Sequence, residues 1–183
     1  MVKKSPLYDE TKATQVAGFL LEQGGGRMDF LKFTKIVYNI EREALKRWSH
    51  PVTHSSMCSM QAGQVLSEVH DNTKQHISAP IWKEYIDTNR KTNTISLKKE
   101  TPIGKLCKAE INLIEEIYQR DKDKTILQLM NEHHKYPEYV DPGKSSIKTD
   151  CSKLLRMLGK SEEEIREFES DICESARVKE LVG

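Results

Sequence analysis

Apolar residues return every three to four positions along most of this chain, the spacing that gathers them on one face of an α-helix. Ala13, Val16, Ala17, Leu20 and Leu21 make such a stripe between Tyr8 and Gln23, and Gly24, Gly25 and Gly26 end it. The longest stripe runs from Asp29 to Trp48 through Phe30, Leu31, Phe33, Ile36, Val37, Ile40, Ala44, Leu45 and Trp48. Asp29 is placed to cap this helix and Pro51 to stop it. Its polar face is expected to carry Lys32, Lys35, Arg42, Lys46 and Arg47, with Glu41 and Glu43 making weak surface pairs among them.

The middle of the chain is more broken. Thr53 to Met60 reads as a short edge strand, and Gly63 interrupts. Gln64 to Thr73 reads as a short helix with Val65, Leu66 and Val69 inward, and His76 to Pro80 as a loop. Ile81 to Asp87 and Thr94 to Lys98 flank the polar stretch Thr88 to Asn93, the pattern of a β-hairpin.

Helix returns at Lys105 with Leu106, Ile111, Leu113, Ile114, Ile117 and Tyr118. Asp123 is expected to cap the next helix, with Ile126, Leu127, Leu129 and Met130 inward, before Pro137 and Pro142 interrupt. Asp150 opens a short helix that Gly159 closes. Ser161 and Glu164 form a capping box at the start of a last helix carrying Ile165, Phe168, Ile172 and Val178. The expected fold is therefore mainly α within an α+β class: a compact bundle of six or seven helices with a small antiparallel sheet or hairpin. Residues 1–183 read as one domain, with residues 161–183 an acidic helix packed on it or extending from it.

Composition narrows the function. With 37% hydrophobic and 31% charged residues the chain has the balance of a globular protein. No apolar run reaches the roughly 18 residues of a membrane span, and the polar start lacks the apolar core of a signal peptide, so a cytoplasmic protein is expected. The net charge of +1 gives no bulk attraction to nucleic acid. The distribution is uneven: Arg27 to His50 holds six Lys/Arg against three Asp/Glu, and Ser161 to Glu180 holds eight acidic against three basic residues. Helix faces of this kind usually just face water. Without a helix-turn-helix pattern or aromatics interleaved with basic residues, nucleic acid is not the expected partner.

The chemistry-bearing residues form no familiar constellation. Cys58, Cys107, Cys151 and Cys173 are far apart and read as thiols. His50, His54, His70, His76, His133 and His134 match no zinc pattern, and Pro51 keeps His50 and His54 off a shared helix face. Glu115 and Glu116 read as solvated. No serine sits in a nucleophile elbow, and the three glycines lack the strand and the Gly-Lys-Ser/Thr of a phosphate loop. The expectation is no enzyme, no metal and no cofactor.

Taken in order, several segments resemble the Panacea domain of SocA-like antitoxins, a family also common in phage and prophage genes. They begin with Tyr8-Asp9-Glu10-Thr11-Lys12 and continue with Met28 to Tyr38, Arg42 to Trp48 and Pro51-Val52-Thr53. Ser59-Met60, Gly63 and Val65-Leu66-Ser67 follow, then His134-Lys135-Tyr136-Pro137-Glu138-Tyr139 with Asp141-Pro142-Gly143. The resemblance covers nearly the whole chain. One departure stands out: where the family reads Pro-His-Gly-Pro-Val, this chain has Gln61-Ala62-Gly63-Gln64-Val65.

The resemblance implies an antitoxin that binds a cognate toxin directly, with a AAA+ protease as a further partner in an adaptor role. The alternative it implies is a phage counter-defence protein that sequesters a host immune effector. A second copy of the chain is a further expected partner, in a homodimer. Exposed aromatic and cationic residues are the usual anchors of such interfaces. The candidates are Arg42, Arg47, Trp48, His54, Tyr85, His134 and Tyr139, with Gly63, Pro137, Pro142 and Gly143 shaping loops. For each candidate plain packing or solvation is an equal reading, and Trp48 in particular fits the core.

Overall fold

The computed structural model describes residues 5–74 and 77–182, so the expected loop position of His76 lies outside the described residues. Helix α1, Glu10–Gln23, starts where the Asp9 carboxylate accepts from Lys12 N and stops at Gly24. Strand β1, Arg27–Asp29, leads into helix α2, Phe30–Trp48. Strands β2, Met57–Met60, and β3, Gly63–Leu66, form a hairpin that runs into helix α3, Ser67–Asn72. Helix α4, Pro80–Tyr85, is followed by β4, Ile86–Asn89, and β5, Thr94–Leu97. The second half holds helix α5, Lys108–Asp121, helix α6, Ile126–His134, strand β6, Ile147–Lys148, helix α7, Cys151–Met157, and helix α8, Glu162–Val182.

The class is the expected one, mainly helical α+β, with eight helices among the described residues and two antiparallel three-stranded sheets, ordered β1-β5-β4 and β3-β2-β6. One hydrophobic core runs from Tyr8 to Ile165. Helix α2 lies at its centre, packed by β1, β3, β5, α5 and α6.

Every residue from Phe33 to Glu41 is buried, so no side of α2 faces water over those turns. This corrects the expected polar face: Lys35 and Glu41 are withdrawn from solvent, 1% and 0% exposed. The reverse holds for Trp48, which is 40% exposed instead of core. It lies on the apolar stripe, but that stripe runs past the last element that covers it. The helix ends before Pro51, at Ser49, whose left-handed φ of 53° turns the chain while its N–H closes on Leu45 O at 3.0 Å.

Other boundaries shift for physical reasons. β2 is central in its sheet, between β3 and β6, and not an edge strand. Gln64 to Leu66 pair with β2 as strand instead of joining the helix that follows. Ile81 to Tyr85 are helical, because Pro80 sits at the first helical turn and the Glu10 carboxylate accepts from Ile81 N and Trp82 N. The β4–β5 hairpin is as expected, but its loop is residues 90–93, closed by the Asn89–Thr94 pair. Thr125, not Asp123, caps α6, in a reciprocal box with Gln128. Leu127 and Val178 face solvent. Helix α8 carries the expected Ser161–Glu164 box. It is packed on the body: Ile165 is fully buried, Phe168 lies against the core, and Lys179 Nζ donates to Tyr8 O.

Candidate functional site

A polar residue inside a fully buried helix needs a built partner, because an unsatisfied group there costs on the order of 1–3 kcal/mol and an unpaired charge more. The polar residues of α2 show where those partners lie. Asn39 donates to Asp121 Oδ2 at 2.8 Å, and Asp121 also holds Arg120 and Lys124, which keeps its carboxyl below the usual carboxylate range against the opposing effect of burial. Tyr136 returns its hydroxyl to Asn39 Oδ1 at 3.0 Å. Glu41 accepts from Val52 N, Thr53 N and the Thr53 hydroxyl, fixing the loop after α2, while burial pushes its carboxyl up to about 7. Glu68 of α3 does the same for Ser5, Ser55 and Ser56.

Lys35 is the exception. Among the described residues its ammonium has one acceptor, the Gln64 carbonyl at 2.8 Å, and burial lowers it to about 7. Lys35 lines a cavity of about 500 Å³ between α2, the β2–β3 turn and α6, with Phe30, Gln61, Ala62, His70, Arg90 and Met130 around it. The Arg90 guanidinium lies 3.8 Å over the Phe30 ring, and His70 packs on the same ring at 5.9 Å. The turn Gln61–Ala62 that walls this cavity is the stretch where the chain departs from the Pro-His-Gly-Pro-Val pattern. Gly63 holds its shape at φ 96°, where a Cβ would run into His133 and the Lys35 ammonium.

The seven candidate residues fall into separate places. His134 and Tyr139 stack at 4.6 Å, and His134 Nε2 lies 3.2 Å from Gln61 O, beside the cavity turn. Arg42 is half-buried, over the Tyr136 ring at 4.2 Å, and binds Glu138. Arg47 binds Glu43 and Glu116 on the surface, so Glu43 and Glu116 are paired there. Trp48 is exposed near it in sequence. His54, with a positive φ of 55°, meets His50 edge-on at 5.0 Å and lines a second cleft of about 500 Å³ with Leu45, Cys151, Phe168 and Ile172. Burial and the neighbouring His50 hold His54 down to about 4. Tyr85 packs on the core under Lys99. Pro137 precedes the buried Glu138, and Gly143 takes φ 60° in the turn after Pro142.

Sequence reading missed Lys35, Glu41, Glu68, His70 and Arg90. Only Glu41 carried a signal: it sits four residues after Val37 and three before Ala44, on the apolar stripe itself. Among the described residues no group of three His, Cys, Asp or Glu side chains is placed to hold a metal ion, and no helix is long and apolar enough to cross a membrane.

Two pairs of elements interlock here: α2 with the turn after α6, and β2–β3 with α2. A family model described as antitoxin SocA-like, Panacea domain, matches residues 33–138, more than half of the chain, and the chain belongs to that family. No curated protein and no solved structure matches it.

Proposed function

We propose that this protein is an antitoxin that neutralises a cognate toxin by direct binding, and that the surface around the Gln61–Ala62 turn takes part in the contact. The observation that carries the reading is the family match over residues 33–138. It spans the cavity turn, His134 and the buried Lys35. A binding role instead of a catalytic one agrees with the structure of the polar groups. Asp121, Glu41 and Glu68 are each engaged with donors that fix loops or helices.

The test is affinity capture of the tagged protein from its native cells, followed by expression of each captured partner alone and together with it. A small stoichiometric partner that is toxic alone and harmless in the pair is expected. If the toxin also disappears from cells in a manner that needs a AAA+ protease, the protein delivers its target as an adaptor. If the toxin persists at full level, the protein blocks it. Capture of a host defence protein instead would move the reading to counter-defence. A protein with no stoichiometric partner in those cells would sink both.

A further inference from the structure

An ammonium group withdrawn from water is strongly unfavourable unless an anion or several acceptors meet it. Among the described residues Lys35 has only the Gln64 carbonyl, and no carboxylate touches it. Around the same cavity Arg90 donates to the Thr73 hydroxyl at 2.9 Å and stacks on Phe30, again without a carboxylate among the described residues. His70 does face Asp71, at 3.8 Å, but Asp71 is the partner of Lys74. Among the described residues no Asp or Glu lines the cavity, while Leu31, Met60, Ala62, Val65 and Met130 give it apolar walls. The site therefore offers unneutralised positive charge at the end of an apolar recess.

We propose that this cavity receives an acidic residue of the partner protein, its carboxylate paired with the exposed Arg90 and drawn toward the buried Lys35 behind it, and an adjoining apolar side chain against Met60, Val65 and Met130. Charge complementarity selects the occupant. A neutral apolar side chain would leave Lys35 buried without an anion. A nucleic-acid phosphate brings no apolar group beside its anion to cover Met60, Val65 and Met130, which an acidic residue next to an apolar one does. The proposal rests on the partner-binding reading above for the kind of ligand, a protein.

The test uses the full chain and no toxin. Random short peptides are displayed and selected on the immobilised protein, and the best binder is synthesised with its acidic residue intact and changed to the amide. Expected is enrichment of Asp or Glu next to an apolar residue. The amide peptide should bind about tenfold more weakly or worse, as should the acidic peptide on Lys35→Met and on Arg90→Gln. Lys35→Met replaces a buried charge by an apolar chain and is expected to fold; Arg90→Gln lies on the exposed rim and decides the matter if Lys35→Met does not fold. Selected peptides without an acid, equal binding of the acid and amide forms, equal binding to both variants, or no enrichment at all would each overturn the proposal. Competition by a nucleic acid but not by the acidic peptide would assign the recess to phosphate instead. Toxin neutralisation is read separately in co-expression, so loss of the acidic site and loss of the antitoxin reading give different results.

Discussion

Arg42 and Glu138 stand 96 residues apart and meet in a two-pronged ion pair, Nε to Oε1 at 2.6 Å and Nη2 to Oε2 at 3.3 Å. The Tyr38 hydroxyl donates to the same Oε1 at 3.1 Å. The pair ties α2 to the turn after α6, so the two family runs that contain these residues are halves of one joint. Glu138 is buried and Arg42 half-buried, so removal of one leaves an uncompensated charge, which costs about 3–5 kcal/mol. Glu138→Ala and Arg42→Ala should each lower unfolding free energy in urea by that order. The double variant Arg42→Met with Glu138→Leu should recover most of the loss. If either single variant unfolds like the wild type, the joint is not structural.

Gly63 and Gly143 both have positive φ, 96° and 60°, but their surroundings differ. A Cβ at Gly63 would come within 2.8 Å of His133 Cβ and 3.2 Å of the Lys35 ammonium, whereas at Gly143 nothing lies within 4 Å. Gly143→Ala is expected to cost about 1 kcal/mol, from the backbone alone. Gly63→Ala adds a clash with a buried helix residue and should cost clearly more, about 2–4 kcal/mol, with the β2–β3 turn displaced. Equal melting temperatures for the two variants would show that the contact with His133 yields freely.

This glycine marks the boundary of what could be read from the chain. Features set by local chemistry were legible. The caps by Asp29, Asp150 and Ser161 and the glycine stop after α1 follow from a few neighbouring residues, and each is present. The β4–β5 hairpin is present too, with a loop at 90–93 shorter than the polar stretch that announced it. Elements that depend on distant pairing were not. Gln64 to Leu66 have apolar residues that suit either a helix or a strand, and the pairing with Met57 to Ser59 decides. Lys35 and Glu41 read as surface charges because periodicity identifies one apolar face and says nothing about a helix covered on all sides. The cavity is assembled from α2, the β2–β3 turn, α3, the 90–93 loop and α6, so no local window contains it. Of the seven candidate residues only His134 and Tyr139 come near it.

Helix α8 is buried against the body at its start, meets it again where Lys179 donates to Tyr8 O, and is exposed on much of its length, which predicts an uneven response to substitution. Ile165 is fully buried, so Ile165→Ala should cost about 2–4 kcal/mol. Val178→Ser and Leu181→Ser, both at exposed positions, should change stability by no more than about 0.5 kcal/mol. Truncation after Lys160 removes Ile165 and Phe168 and uncovers the cleft beside Leu45 and Cys151, so it should destabilise at least as much as Ile165→Ala. A truncated protein that melts with the full chain would show that α8 is an appendage.

The buried Lys35 makes stability depend on pH in a direction that can be worked out. Burial holds its ammonium down to about 7 in the folded protein, against an ordinary value of 10.5. Below about pH 7 both folded and unfolded chains carry the proton, and the folded state bears the whole penalty of the buried charge. As pH rises above 7 the folded protein gives up the proton while the unfolded chain keeps it. The unfolded state then binds more protons, and stability rises with pH, by up to about 1.4 kcal/mol per unit. The thiols of Cys58 and Cys151, pushed up to about 11 by burial, act in the opposite sense only near and above pH 9. The Glu41 carboxyl, pushed up to about 7, acts in the opposite sense below about pH 7.5, and His54 and His70, held down to about 4, act in the same sense as Lys35 while the unfolded imidazoles titrate near 6.5. Between about pH 7.5 and 8.5 the wild type should therefore gain stability in urea titrations, and Lys35→Met should lose most of that slope. A carboxylate delivered to the cavity would favour the charged lysine, so saturation with an acidic peptide should flatten the wild-type profile too. A slope that survives in Lys35→Met would place its origin elsewhere, and the ammonium would then be stabilised by more than the Gln64 carbonyl.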